Sequence, residues 1–160
     1  MKIYLAGPDV FRKDAIEYGQ HLKALCNDHG HIGLFPFDNE IRPHHYPYQT
    51  AREIFIANIK MIRQCDMVIA NLNPFRGPSA DVGTIWEVGF ALGLGKQVLG
   101  YRDPHTCEYI HRVRPVDSYL SEYPNIEDFS LIDNLMIDCS VSVFPSFEAA
   151  LKHLTMTGSW

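Results

Sequence analysis

Short apolar segments alternate with longer segments of helical spacing along most of the chain, and this alternation predicts the fold class. Five short segments have the apolar character of buried strands, at residues 2–6, 32–35, 67–72, 97–101 and 141–144. Longer segments with the apolar spacing of helices lie at residues 14–26, 50–64, 81–95 and 146–154. The alternation indicates a doubly wound, three-layer α/β fold of the flavodoxin or Rossmann type, with five parallel strands and helices on both faces of the sheet.

The remaining segments set the predicted domain boundaries. Residues 1–154 form one predicted domain, and residues 155–160 form a tail without a structural signal. Between residues 102 and 139, the one helical signal is a short turn near residues 134–137. No linker or second domain is therefore expected.

A loop rich in proline and aromatic residues precedes the second predicted helix. Its residues 42–49 either cover a site as a lid or lie on the surface in solvent, and both interpretations stay open. Thr50 is expected to cap the helix, and Glu53 stands at the matching capping-box position. The loop is therefore expected to end at Thr50.

One carboxylate stands alone in the predicted helix at residues 81–95. Glu87 is the only charged side chain between Val82 and Gly95. Helical side chains lean towards the N-terminus, so we expect the carboxylate to lie over Gly83, where missing bulk leaves room for a small molecule. The alternative is a core glutamate satisfied by backbone donors or by an arginine. Because the helix is apolar on every side, a second chain is expected to cover its outer face.

Acidic side chains are concentrated near the predicted carboxyl ends of the strands, where ligands bind in this architecture. Three turns should converge there, at residues 7–9, 36–40 and 73–81. A crevice rich in carboxylates fits chemistry at an acetal-like carbon, where one carboxylate attacks and a second group protonates the leaving group. This indicates glycosyl transfer or hydrolysis. The candidate carboxylates are Asp9, Asp38, Glu40, Asp66, Asp81 and Glu87.

Two of these carboxylates also have a structural interpretation. Asp81 stands where a helix N-cap is expected, so its side chain is equally suited to accept hydrogen bonds from backbone N–H groups. Asp66 lies just before its predicted strand, a position that also suits a solvated residue outside any site. The residues alone leave both alternatives open.

Charge and motif content exclude several function classes. The net charge is −5 and the basic residues are scattered, so no nucleic-acid partner is expected. No apolar run reaches membrane-spanning length and residues 1–7 lack a signal-peptide pattern, so we expect a cytoplasmic protein without a membrane partner. Residues 7–10 lack the dinucleotide fingerprint, and no Gly-x-Ser-x-Gly or Cys-x-x-Cys motif occurs. We therefore expect no cofactor, no metal ion and no serine or thiol nucleophile.

Five short motifs occur in an order that carries a family resemblance. They are Ile-Tyr-Leu-Ala-Gly-Pro at 3–8, Pro-Phe-Asp-Asn-Glu at 36–40, Cys-Asp-Met-Val-Ile-Ala at 65–70, Phe-Arg-Gly at 75–77 with Asp-x-Gly-Thr-x-x-Glu-Val-Gly at 81–89, and Asn-Leu-Met at 134–136. Together they resemble the nucleoside 2-deoxyribosyltransferase family, from residue 3 to about residue 154. The resemblance implies an enzyme that moves 2-deoxyribose from a deoxyribonucleoside to a free nucleobase through a covalent glutamate intermediate.

The resemblance also implies a role for individual residues. Glu87 matches the nucleophile, and Tyr4 matches the tyrosine whose hydroxyl orients it. Asp66 and Asp81 match aspartates near the base and the sugar, and Asp81 would serve as general acid at the leaving base. The expected substrate contacts are Gly7, Pro8, Asp9, Phe11, Asp38, Asn39, Glu40, Gly83, Asn134 and Met136.

A homo-oligomer follows from the same resemblance. Asn134 and Met136 match residues that the family supplies from a neighbouring subunit to close the sugar pocket. The dimer is the minimal unit, and a tetramer or hexamer is consistent with it. Glu40 stands where some members have glutamine, so the choice between purines and pyrimidines stays open.

Two other functions stay open at this stage. The fold and nucleophile also resemble the 2-deoxynucleoside 5-monophosphate N-glycosidases, in which water takes the sugar. Such a hydrolase needs a 5′-phosphate pocket, for which Arg76 and Ser79 are the only candidates near the start of the central helix. A non-catalytic nucleotide-binding module is expected to lose the glutamate or the tyrosine, and this chain keeps both Glu87 and Tyr4.

Overall fold

Five strands form one sheet in the computed structural model, which describes residues 1–39, 41, 45–117 and 125–156. The strands are β1 (Lys2–Ala6), β2 (Ile32–Leu34), β3 (Met67–Asn71), β4 (Gln97–Tyr101) and β5 (Ser142–Phe144). The helices are α1 (Ala15–Asp28), α2 (Pro47–Gln64), α3 (Val82–Gly93), α4 (Tyr109–Asp117), α5 (Leu135–Asp138) and α6 (Phe147–Met156). Two 3₁₀ turns span Pro8–Phe11 and Pro36–Asp38.

The order of the strands across the sheet is β2-β1-β3-β4-β5, and every neighbouring pair is parallel. This is the flavodoxin-type doubly wound order, so the predicted fold class is confirmed. The order of the strands reverses between β1 and β3. In such folds, the crevice beyond the carboxyl ends of the strands at this point is the usual ligand site.

Helices cover both faces of the sheet because the central strands are apolar on both faces, as the burial of all five β3 residues shows. One face packs against α1 and α6, and the other packs against α2, α3 and α5. Successive side chains of a strand point to opposite faces. Tyr4 therefore points towards α2 and α3, whereas Ile3 and Leu5 belong to the other core.

The start of the second helix differs from the prediction. α2 begins at Pro47, with Tyr46 at the N-cap position. Proline suits the first turn because its fixed φ matches the helix and its missing N–H needs no partner there. Thr50 and Glu53 consequently lie inside the helix, and the predicted capping box is wrong.

One helix is absent from the prediction and another is longer than predicted. The sequence of α4 places charged residues between its apolar ones, and Ile110 and Val113 are the buried apolar side chains among its described positions. Its periodic signal was therefore weak. α6 continues to Met156, beyond the predicted end at Leu154, and residues 157–160 lie outside the described part. Among the described helices, none is long and apolar enough to cross a membrane.

Candidate active site

A cleft of about 590 Å³ opens beyond the carboxyl ends of β1 and β2, beside the first half of α3. Clefts of this size, mainly apolar with a few polar groups, are typical of small-molecule sites. Its apolar wall includes Val10, Phe11, Phe37 and Ile54. Its polar groups include Asn39, Asn58, Asp81, Thr84 and Glu87.

The Glu87 carboxylate lines this cleft, and its two oxygens differ in their surroundings. The Tyr4 hydroxyl donates to Oε1 at 2.7 Å, and Asn58 Nδ2 donates to the same oxygen at 3.3 Å. Among the described residues, no donor binds Oε2 and no basic side chain pairs with Glu87. The described structure thus holds one oxygen in place and leaves Oε2 for a bound molecule.

Burial raises the pKa of Glu87 from 4.5 to about 7. The hydrogen bonds from Tyr4 and Asn58 lower this pKa, whereas the nearby negative charge of Asp81 raises it further. Desolvation is the largest of these effects. The carboxylate is therefore poised to titrate near neutral pH, where its ionised form is a nucleophile.

Tyr4 supports Glu87 from the middle of the sheet. The side chain is fully buried in β1 between β2 and β3. Burial, followed by the charge of Glu87, raises the pKa of the Tyr4 hydroxyl far above its ordinary value of 10.0. The hydroxyl therefore keeps its proton and remains a hydrogen-bond donor to the carboxylate.

Asn58 is a site residue that the sequence reasoning missed. It lies in α2, where Met61 and Ile62, three and four residues later, are buried. Positions at this spacing share one helix face, so Asn58 lies on the face that packs inwards. Asn39 Nδ2 donates to Asn58 Oδ1 at 3.3 Å, which orients the Asn58 amide so that its Nδ2 group faces Glu87. The sequence signal that could have revealed Asn58 is a polar amide, which is only a modest helix former, at a helix position that faces the interior.

Asp81 caps α3 and also lies at the cleft. Its Oδ2 atom accepts hydrogen bonds from the backbone N–H and the hydroxyl of Thr84, both at 2.9 Å, so the predicted N-cap is confirmed. The same side chain also lines the cleft. At Gly83 a Cβ atom would lie 3.1 Å from Asp81 Oδ2, closer than most Cβ contacts, so a side chain there would press against the Asp81 carboxylate.

The turn after β1 supplies part of the wall. Gly7 and Phe11 line the cleft, as predicted for substrate contacts, and Pro8 is buried in the turn between them. The Phe11 ring stacks on Phe75 with a centroid distance of 5.4 Å, and Arg76 lies over both rings at 4.8 Å. Phe11 is still 58% exposed, so one face of its ring is available to a ligand.

The structure separates Asp66 from this cleft. Asp66 immediately precedes β3, and its Oδ2 atom accepts a hydrogen bond from the Lys2 backbone N–H at 2.6 Å. Both residues lie at the amino ends of their strands, whereas the cleft lies beyond the carboxyl ends. A five-residue strand separates the two edges by roughly 16 Å. The predicted catalytic role of Asp66 is therefore corrected: it is the exposed residue before its strand that the alternative described.

Two further carboxylates are engaged in local structure and do not line the cleft. Asp38 accepts from the Phe35 backbone N–H at 2.9 Å and pairs with Lys23 at 2.7 Å. Asp9 is a buried residue of the turn at Pro8–Phe11. Both were expected to contact substrate. In the described structure each carboxylate faces partners within the protein, and its contact with substrate stays a prediction. Glu40, predicted beside them, lies outside the described residues.

A second cleft of about 410 Å³ meets the first at Glu87. Asn58, Gly83 and Glu87 line both clefts. The second cleft is bordered by an aromatic patch, which consists of Phe55, Trp86 and Phe90 with ring centroids 5.3 to 5.5 Å apart between neighbours. In the single chain the outer face of α3 is uncovered, because Val82 is 85% and Trp86 49% exposed, and its expected cover by a second chain stays a prediction.

Asn134 and Met136 lie away from the first cleft of their own chain. Asn134 Oδ1 caps α5 by accepting from the Met136 N–H at 3.0 Å, and its Nδ2 group donates to Glu127. The Met136 side chain is 72% exposed. Neither belongs to the described lining of either cleft. Their donation to a neighbouring subunit stays a prediction.

The described ranges also provide no alternative site for a metal. No group of three or more His, Cys, Asp or Glu side chains in these ranges is arranged to hold an ion. The acidic groups at the cleft instead contact hydroxyl, amide and backbone donors.

This chain is similar in sequence and in fold to several known proteins. The family model of nucleoside 2-deoxyribosyltransferases matches residues 3–136. A solved 2-deoxyribosyltransferase from Leishmania mexicana is 35% identical with a TM-score of 0.79, and the alignment covers 99% of both chains. One from Bacillus psychrosaccharolyticus has a TM-score of 0.63 at 22% identity over 94% of this chain and 90% of that chain, which shows a shared fold. An uncharacterised protein of Schizosaccharomyces pombe is 38% identical over 62% of this chain, a match that spans 48% of that relative's length.

Proposed function

The chain belongs to the nucleoside 2-deoxyribosyltransferase family, and we propose that it transfers 2-deoxyribose between nucleobases with Glu87 as the covalent nucleophile. The observation that carries the proposal is the environment of this carboxylate. Tyr4 and Asn58 hold Oε1, whereas Oε2 has no donor among the described residues at the place where two clefts meet. The family resemblance recognised in the sequence is confirmed, and the residue roles below are part of the proposal.

In the first step, Glu87 Oε2 attacks C1′ of the deoxyribose. A bond forms between Oε2 and C1′ while the bond between C1′ and the base nitrogen breaks, and its electron pair leaves with the base. Asp81 is assigned the role of general acid and gives a proton to the leaving base. The hydrogen bonds to Oε1 keep the carboxylate oriented during the attack, so less reorganisation is needed at the transition state.

In the second step, a different nucleobase takes the place of the first. Asp81, now ionised, accepts the proton from the incoming nitrogen, which attacks C1′ and releases Glu87. The proton and the electron pair return to their starting positions, so neither an oxidant nor a cofactor is consumed. The same two carboxyl groups therefore serve both directions of the exchange.

The first cleft is proposed to bind the base. Its wall of Val10, Phe11 and Phe37 offers apolar surface to a flat heterocycle, and the exposed face of Phe11 is suited to stacking. Asn39 and Asp81 add polar atoms that are able to bind base nitrogens and exocyclic groups. The volume of about 590 Å³ accommodates either a purine or a pyrimidine.

A second copy of this chain is proposed to close the second cleft. Val82 and Trp86 expose apolar surface at its rim, and the α2 residues Ile54, Phe55 and Ile56 extend this surface. Exposed apolar patches of this kind mark protein interfaces. The exposed Met136 and the neighbouring Asn134 are proposed to reach the partner's sugar pocket, with a dimer as the minimal unit.

Intact-mass measurement with a single substrate tests the proposal. The protein is mixed with a deoxyribonucleoside in the absence of an acceptor base, and the adduct is located by peptide mapping. We expect an added deoxyribosyl group on Glu87 and none in Glu87→Gln. Asp66→Asn is the matched control, because this carboxylate lies at the opposite edge of the sheet and its replacement should leave the adduct intact.

The same samples distinguish transfer from the two alternatives. A hydrolase would release free sugar, would not need an acceptor base and would prefer the deoxynucleoside 5′-monophosphate. A binding module would retain its ligand without turnover. Exchange activity that survives Glu87→Ala, or an adduct on another residue, would overturn the assignment of the nucleophile.

A further inference from the structure

The Asp9 carboxylate is enclosed beneath the turn that forms one wall of the first cleft. Its side chain accepts hydrogen bonds from Asn71 Nδ2 at 3.1 Å to Oδ1 and 3.0 Å to Oδ2, and from the Tyr101 hydroxyl at 3.3 Å. Only 8% of Asp9 is exposed. A carboxylate that is removed from solvent needs such donors, because an unpaired buried charge is strongly destabilising.

These contacts connect the turn to the ends of the two central strands. Asn71 is the last residue of β3 and Tyr101 is the last residue of β4. Asn71 Oδ1 is also engaged, because it accepts from the Asn73 backbone N–H at 3.1 Å and from Asn73 Nδ2 at 2.8 Å. The Asn71 amide therefore has a fixed orientation, with its donor group towards Asp9 and its acceptor towards the next loop.

Gly7 makes this arrangement sterically feasible. A Cβ atom at Gly7 would lie 2.8 Å from Asp9 Oδ2 and 2.8 Å from Asn71 Cβ, which is closer than real Cβ atoms approach. The turn is therefore pressed directly onto the carboxylate and the amide. Further along the same turn, Val10 and Phe11 line the cleft.

We propose that Asp9 is a positioning residue for the exchange reaction, which ties the turn at residues 7–11 to Asn71 and Tyr101 so that Val10 and Phe11 form the wall of the base cleft. Asp9 itself has no contact with the cleft and acts through these two side chains. Only the kinetic consequence of this inference rests on the proposed function. The structural consequence, a turn held by the Asp9 carboxylate, is independent of it.

Exchanging the two side chains tests the proposal. In Asp9→Asn, an NH₂ group replaces one acceptor and faces the NH₂ group of Asn71, so donor meets donor. In Asn71→Asp, two carboxylates face each other. The double variant Asp9→Asn/Asn71→Asp restores one acceptor opposite one donor. The carboxylate introduced at position 71 can still accept from Asn73, and the net charge is unchanged.

Steady-state kinetics and hydrogen–deuterium exchange of residues 7–14 are measured on wild type and the three variants. We expect each single variant to raise KM for the acceptor base by roughly tenfold, the equivalent of one hydrogen bond to a charged group. The turnover number should change less than about twofold, because Glu87 and its donors are untouched. In both single variants the backbone amides of the turn should exchange with deuterium faster than in the wild type. The double variant should restore most of the wild-type KM and most of the slow deuterium exchange.

Two further variants keep the test decisive. Asp14→Asn alters an exposed carboxylate at the end of the same segment, whose described side-chain contacts are with Arg12 alone. This variant should change neither the KM for the acceptor base nor the deuterium exchange of residues 7–14. If a single variant fails to fold, Tyr101→Phe removes one donor and should raise KM about two- to threefold. Unchanged deuterium exchange in both single variants would overturn the positioning role whether or not the protein is an exchange enzyme. Absence of exchange activity in the wild type would instead count against the proposed function.

Discussion

Removal of the Tyr4 hydroxyl is the most direct test of how the protein holds Glu87, the proposed nucleophile. The hydroxyl donates to Glu87 Oε1 at 2.7 Å, and this hydrogen bond lowers the Glu87 pKa, which burial has raised to about 7. In Tyr4→Phe the ring stays in the core of β1 while the donor is lost. The ionised carboxylate loses its shortest hydrogen bond, so its pKa must rise further.

The size of the effect follows from the type of bond. A hydrogen bond to a charged group contributes roughly 1.5 to 3 kcal/mol, and about 1.36 kcal/mol corresponds to one pKa unit. The Glu87 pKa should therefore rise by about one to two units from its value of about 7. At pH 7 the ionised fraction would fall from about one half to roughly 1 to 10%, so kcat/KM should fall about 5- to 50-fold.

The pH dependence of kcat/KM for base exchange measures this shift. We expect the acidic limb of the profile to move from near pH 7 to about pH 8 to 9 in Tyr4→Phe, with partial recovery of activity at higher pH. Tyr101→Phe is the matched control, because its hydroxyl donates to Asp9 and not to Glu87. A limb that stays in place in Tyr4→Phe, or moves equally in both variants, would refute the reasoning.

Three other predictions address the same site. Because the raised pKa makes ionisation of Glu87 oppose folding, the contribution of this group to stability is full below about pH 4.5 and is lost as the pH rises through about 7. Glu87→Gln should therefore raise the free energy of unfolding by up to about 3 kcal/mol at pH 8, and by little at pH 4, in urea unfolding. Asn58→Leu should move the acidic limb upwards by less than Tyr4→Phe does, because its hydrogen bond is longer, at 3.3 Å. Trp86→Glu should shift the proposed oligomer to monomers in sedimentation velocity and reduce base exchange, and a wild type that is monomeric and fully active would contradict the proposed interface.

The elements that the sequence predicted well are those specified by local patterns. The strands and the helix around Glu87 depend on runs of apolar residues and on Asp81 as a cap, and all of these signals lie within one segment. Asn58 was missed because its importance depends on how α2 packs against α3. A helical amide becomes a site residue only when tertiary packing directs it to a carboxylate 29 positions away.

The predicted site residues that do not line the cleft show where the prediction lacked information. Asp38 and Asp9 lie in the predicted turns, but the sequence does not reveal which partners their carboxylates meet. Asp66 is different, because a residue just before a parallel strand lies at the amino end of the sheet, opposite the ligand crevice. The predicted topology therefore already argued against its catalytic role, and the family resemblance outweighed that argument.

The position of Glu87 between two clefts also bears on what separates transfer from hydrolysis. C1′ is the atom of the sugar ring that carries the base, so a base in the first cleft and a sugar in the second would place this carbon at their junction, beside Glu87. In a single chain the second cleft is open, and water would reach a covalent intermediate there as readily as a nucleobase would. A partner subunit that covers Val82 and Trp86 would exclude this water. Weakening the interface should therefore increase the release of free deoxyribose relative to base exchange. The ratio of free deoxyribose to exchanged nucleoside then measures how far the partner subunit closes the second cleft.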